Sequence, residues 1–134
     1  VFYVDEEKFK LYNIKTDKNI IIDFKDRFQN VEIKNLQTND NYINQIRIFN
    51  NIYWNIFKQK PNQIFIESLI FSCPNNLFVN DVVETTINLV NYIKNNTMQN
   101  LKSICDETID LFNEQLNTVD YQSALKFINK IEIA

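Results

Sequence analysis

The sequence predicts an α+β fold, mainly helical, with a small N-terminal β element over residues 1–25 and a bundle of about four to five helices over 39–134. Three observations carry this. A chain of 134 residues suits one hydrophobic core and is short for two, so a single domain over 1–134 is expected. Apolar residues make up 45% and charged residues 23%, the balance of an ordinary globular protein. The apolar spacing is strand-like before residue 25 and helical after residue 39.

Val1–Val4, Lys8–Ile14 and Lys18–Phe24 collect β-branched and aromatic residues between breaks at Asp5-Glu6-Glu7 and Thr16-Asp17-Lys18-Asn19, and read as short strands. Residues 25–38 have no clean apolar period and read as an ordered crossing loop. From Asn39, Tyr42, Ile46, Phe49, Tyr53 and Ile56 step by four, three, four and three, a helical stripe with Thr38 or Asn39 as N-cap and a stop before Pro61. Gln63 to Ser72 is apolar nearly all round and reads as a short buried helix ended by Pro74-Asn75-Asn76.

A further helix fits Asn80 or Asp81 to about Asn95, capped by Asp81, with Val82, Val83, Ile87, Val90 and Ile93 on one face. Residues 97–113 fit a helix or a strand pair equally. The last helix, about Val119 to Ile131, turns Ala124, Phe127, Ile128 and Ile131 inward behind an Asn117 or Thr118 cap. Arg47 to Pro74 holds most of the large apolar side chains and is the expected core nucleus.

The composition excludes whole classes of chemistry. With no Gly and no His, the chain has no Gly-rich phosphate loop, no Ser-His or Cys-His nucleophile pair and no His-containing zinc site. A helical RNase built on an Arg-x4-His motif is excluded for the same reason. The 22 Asn and 20 Ile match codon usage in an AT-rich genome, so no single Asn is functional on its type alone. Cys73 and Cys105 form no CxxC motif and read as reduced, buried, small apolar residues. The opening stretch VFYVDEEKFK lacks the basic start and apolar run of a signal peptide, the most apolar stretch, Ile64 to Phe71, is far short of a membrane span, and a cytoplasmic location is expected.

The net charge of −3 is unevenly spread: residues 1–60 carry ten Lys/Arg against eight Asp/Glu, and residues 61–134 four against nine. The acidic second part argues against strong nucleic-acid binding, and a phosphate-bearing ligand is expected towards the N-terminal half. Glu67, inside the apolar run Ile64–Phe71, needs a partner, and Arg47 on the preceding helix is the expected one. Such an Arg47–Glu67 pair reads first as a lock between two antiparallel helices.

The run Phe24-Lys25-Asp26-Arg27-Phe28-Gln29-Asn30, with Lys34-Asn35, Thr38, Tyr42, Ile46-Arg47-Ile48-Phe49, Phe65-Ile66-Glu67-Ser68-Leu69 and Pro74-Asn75, carries a resemblance over most of the chain. In order and spacing these residues resemble the C-terminal half of bacterial nucleotidyltransferases of the oligoadenylate-synthase-like and CD-NTase branch of the polymerase-β superfamily. The resemblance implies that an N-terminal half, in cis or from another chain, supplies a Gly-Ser motif, an Asp-x-Asp pair and the Mg²⁺ and NTP sites. This chain has neither motif, so it holds no cofactor itself and is not expected to be active alone.

Asp5 is either the third metal-binding carboxylate of a truncated core or a plain turn residue. The resemblance implies substrate contacts at Lys34, Arg47, Asn50 and Gln63. Asn50 stands where the family usually has a phosphate-contacting Lys, and Gln63 where it usually has a Ser; a neutral amide weakens any triphosphate contact. Lys34 matches its family position, or is a solvated loop lysine. The chain opens without Met on strand-like residues and is expected to be a piece of something longer. The alternative is a stand-alone helical interaction module that presents Tyr53, Trp54 and Phe57 to a partner.

Overall fold

The computed structural model describes residues 2–4, 8–13, 18–96, 101–104, 111–112 and 120–132. Among them the fold is mainly helical: α1 (Phe24–Gln37), α2 (Asn41–Phe57), α3 (Gln63–Phe71), α4 (Val82–Asn95) and α5 (Tyr121–Lys130), with one 3-10 turn at Asn75–Leu77. Ahead of α1 the backbone has strands β1 (Phe2–Val4), β2 (Lys8–Asn13) and β3 (Lys18–Asp23), paired antiparallel in chain order. The fold class rests on the helices.

α1 replaces the loop expected over 25–38. Its inward positions Arg27, Asn30, Lys34 and Thr38 step by three, four and four, a helical period written in polar residues. Each finds a partner: Glu67 for Arg27, the Ile104 carbonyl for Asn30, the Cys73 carbonyl for Lys34 and the Lys34 carbonyl for Thr38. A search for apolar periodicity cannot see such a face.

The corner from α1 to α2 puts Asn39 and Asp40 at φ 53° and 67°, the left-handed region that Asn and Asp tolerate better than most residues. Asp40 is the formal N-cap but makes no side-chain cap hydrogen bond. The expected cap at Thr38 acts from one turn away: its hydroxyl accepts from the Tyr42 N–H (3.0 Å), and Asn35 Oδ1 accepts from the Ile43 N–H (3.2 Å). α2 ends in a left-handed Lys58 (φ 55°) whose N–H bonds the Trp54 carbonyl.

α3 starts at Asn62, whose side chain accepts from the Phe65 N–H. It is the most deeply enclosed helix, with Phe65, Ile66, Leu69 and Ile70 all buried. Each such side chain contributes about 1.5–3 kcal/mol by leaving water. They join Tyr42 and Phe49 of α2, Leu89, Val90 and Ile93 of α4, and Ala124, Phe127 and Ile128 of α5 in one core.

α4 begins at the expected cap, where Asp81 accepts from the N–H groups of Val83 and Glu84. Its inner face differs from expectation. Val82, Val83 and Ile87 are exposed, and Thr85, Leu89, Val90 and Ile93 are buried. Thr85 is inside because it joins a polar seam: Asn41 Nδ2 donates to Thr85 Oγ1, Gln45 Nε2 to Asn41 Oδ1, and Thr86 Oγ1 to Gln45 Oε1. Those bonds rotate α4 away from its most apolar edge.

α5 is capped by Asp120, not by Asn117 or Thr118, which lie outside the described residues along with the helix start expected at Val119. Within 97–113 only two short pieces are described, joined by a bond from the Leu111 N–H to the Leu101 carbonyl. Asn30 Nδ2 donates to the Ile104 carbonyl and Ser68 Oγ accepts from the Ile104 N–H, so α1 and α3 grip this segment from both sides.

Candidate functional site

Glu67 lies at the centre of α3, and the structure pairs it with Arg27 of α1, not with Arg47. Arg27 Nε donates to Oε1 at 3.1 Å and Nη2 to Oε2 at 2.5 Å, a bidentate fork. The side chains are 20% and 10% exposed, so the pair is mostly out of water. Arg27 faces inward because α1 is a helix; Arg47 points off the outer side of α2 and is exposed, without a side-chain hydrogen bond among the described residues. The sequence signal for Arg27 was the period shared with Asn30 and Lys34.

The Tyr42 hydroxyl donates to the Glu67 carbonyl (2.9 Å), tying α2 to the same turn of α3. Burial, with the Glu67 charge adding to it, raises the Tyr42 phenol above its ordinary range. Tyr42 and Glu67 meet, and so do Asn50 and Gln63; as one helix rises the other falls, so α2 and α3 run antiparallel.

Asn50 and Gln63 are the two expected substrate contacts that the fold brings together, with Asn50 Nδ2 donating to Gln63 Oε1 at 3.4 Å. Asn50 Oδ1 is buried without a partner among the described residues. Arg47, one turn earlier on α2, is exposed and makes no side-chain hydrogen bond to either among the described residues. The Asn50–Gln63 pair offers two neutral amides, which donate and accept hydrogen bonds and supply no charge.

Lys34 is not brought to them. It is neither a loop residue nor solvated: it sits on α1, 6% exposed, with Nζ donating to the Cys73 carbonyl and to Asn75 Oδ1, both at 2.7 Å. These partners follow the last turn of α3, while Gln63 opens its first, about 12 Å away along the axis. Burial lowers the Lys34 pKa from its ordinary value. Cys73 is free and buried, and that burial pushes its thiol up to about 12, with the Lys34 charge opposing part of the shift. Asp5 and Cys105 lie outside the described residues.

The aromatic patch of the alternative reading does not assemble. The Tyr53 and Phe57 rings pack on Phe127 at centroid distances of 5.1 and 6.3 Å, and only Trp54 of the three stands exposed.

The chain matches the cGAS/DncV-like nucleotidyltransferase C-terminal helical domain over residues 29–133. It belongs to that family. Among solved structures, the fold is similar to Rhodothermus marinus CdnE c-UMP-AMP synthase with Apcpp and Upnpp, with a TM-score of 0.76 and 24% identity over 91% of this chain and 43% of that one. It is also similar to Elizabethkingia meningoseptica CdnE cyclic dinucleotide synthase with GTP and Apcpp, with a TM-score of 0.73 and 24% identity over 92% and 48%. The chain thus spans less than half the length of either synthase. No curated protein sequence matches it. No helix among the described residues is long and apolar enough to cross a membrane.

Proposed function

We propose that the chain is the helical, nucleotide-cleft-side half of a cyclic-nucleotide-type nucleotidyltransferase, inactive alone, which works with a nucleotidyltransferase core in cis or in trans in the bacterial cytoplasm. Family membership and a span of less than half the matched synthases support the reading. The observation that carries it to a site is the Asn50–Gln63 pair, which sets the two expected nucleotide contacts side by side where α2 meets α3.

In this reading, strands β1, β2 and β3 are the small β element of this half. The sequence has no Gly-Ser and no Asp-x-Asp, so the residues present do not fit an Mg²⁺ pair, and Mg²⁺ and NTP belong to the partner half. Arg47, Asn50 and Gln63 face that half. With amides in place of an ammonium and a hydroxyl, the cleft wall orients a nucleotide by hydrogen bonds and contributes little to holding its triphosphate, the mark of a degenerate member.

The reading frame upstream tests the assignment: a segment with Gly-Ser and Asp-x-Asp is expected there or in an adjacent gene, and its absence from both would contradict it. In the assembled protein, Asn50→Lys restores the cation and should tighten Mg-ATP binding by roughly tenfold. An unchanged dissociation constant would remove Asn50 from the nucleotide face.

A further inference from the structure

A cleft of about 240 Å³ opens between α1 and the end of α3, lined by Asn30, Ile33, Lys34, Gln37, Phe71 and Asn75. It lies at the opposite end of α3 from Asn50 and Gln63. Its wall holds an unusual charge. Lys34 is 6% exposed, yet its hydrogen-bond acceptors are a carbonyl and an amide, both neutral, and among the described residues no carboxylate pairs with it. Its Nζ also stands 5.3 Å from the centroid of the Phe71 ring and 5.1 Å from that of Phe78. Ring faces and amide oxygens ease the desolvation of an ammonium without neutralising it.

A buried cation normally has an anion beside it, because an unpaired charge away from water costs more than neutral dipoles return. The surrounding side chains suit such an anion. Asn75 Nδ2 is held by Gln37 Oε1 at 2.8 Å, which fixes both amides at the cleft wall. Asn30 adds a third amide, and Ile33 and Phe71 add apolar surface.

We propose that this cleft is a binding site for a small oxyanion, a carboxylate or a phosphate monoester, whose charge completes Lys34 and whose apolar part lies on Ile33 and Phe71. The site is separate from the proposed nucleotide face and does not depend on that assignment. Burial lowers the Lys34 pKa, and a bound oxyanion would oppose that shift.

The test is a titration of the full chain with inorganic phosphate and, separately, with acetate, at constant ionic strength, followed by backbone amide NMR. Saturable shifts confined to residues 30–37 and 71–78 are expected with at least one of the two, and the stronger response tells phosphate from carboxylate. Gln37→Glu keeps the acceptor for Asn75 and places a carboxylate in the cleft wall, so it should weaken the effective anion by roughly tenfold or more. This variant needs no change at buried Lys34 and tests the site in an intact fold. Absence of saturable shifts with both anions would overturn the proposal, and so would equal affinity in wild type and Gln37→Glu.

Discussion

Glu67 and Arg27 bring opposite charges within 2.5 Å inside a shell of apolar α3 side chains, where each depends on the other. Removing one leaves the other desolvated, so Arg27→Met should cost about 3 kcal/mol in chemical denaturation. Arg27→Met with Glu67→Leu removes both charges and should recover most of that loss; equal costs for single and double variants would mean that the pair is not the source. Lys58 poses a smaller problem, a φ of 55° in a side chain with a Cβ. Lys58→Gly relieves that strain and should raise stability by about 1 kcal/mol, while Lys58→Ala should not. The need of Glu67 for a partner was legible in the sequence, because a carboxylate inside Ile64–Phe71 has no other way to be buried. Its partner was not, since Arg47 belonged to a recognisable helix and Arg27 to a segment with no apolar period.

At the scale of elements, the helices whose inner faces are apolar were readable; α1, whose inward face is polar, was read as a loop, and α4 was found with its cap but with Val82, Val83 and Ile87 wrongly turned inward. α2, α3 and α5 follow their apolar stripes, whereas α1 buries Lys34, the turn after it buries Thr38, and α4 buries Thr85. Buried polar residues in these positions make specific bonds, and a sequence does not disclose a bond partner some 40 positions away. The α5 terminus gives a test of its own. A hydrogen bond of 2.7 Å from the Ser123 N–H holds the Asp120 carboxyl below its ordinary value of 3.8. A folded pKa below the unfolded one adds stability above pH 3.8, and that stability is lost as the pH falls through the folded value. Asp120→Asn keeps an acceptor but not the charge. Wild type should therefore be more stable than the variant above that range, and the gap should close on acidification in melting curves; a gap independent of pH would contradict the cap assignment.

For the molecule as a whole, the five helices among the described residues enclose one core centred on α3, and no group of metal-binding carboxylates occurs among those residues. The family resemblance was legible in the order of short motifs from Phe24 to Asn75, and the family match over residues 29–133 takes in these motifs from Gln29 onward. The gathering of Asn50 and Gln63 was not legible, because it depends on how α2 and α3 cross, as does the separation of Lys34 from both. The central claim is that this half supplies a cleft wall and no chemistry of its own. It is tested most directly by incubating the purified chain with Mg²⁺ and labelled nucleoside triphosphates and resolving the products. The account predicts no metal-dependent nucleotidyl transfer above a protein-free control; metal-dependent formation of linear or cyclic oligonucleotides by this chain alone would contradict it.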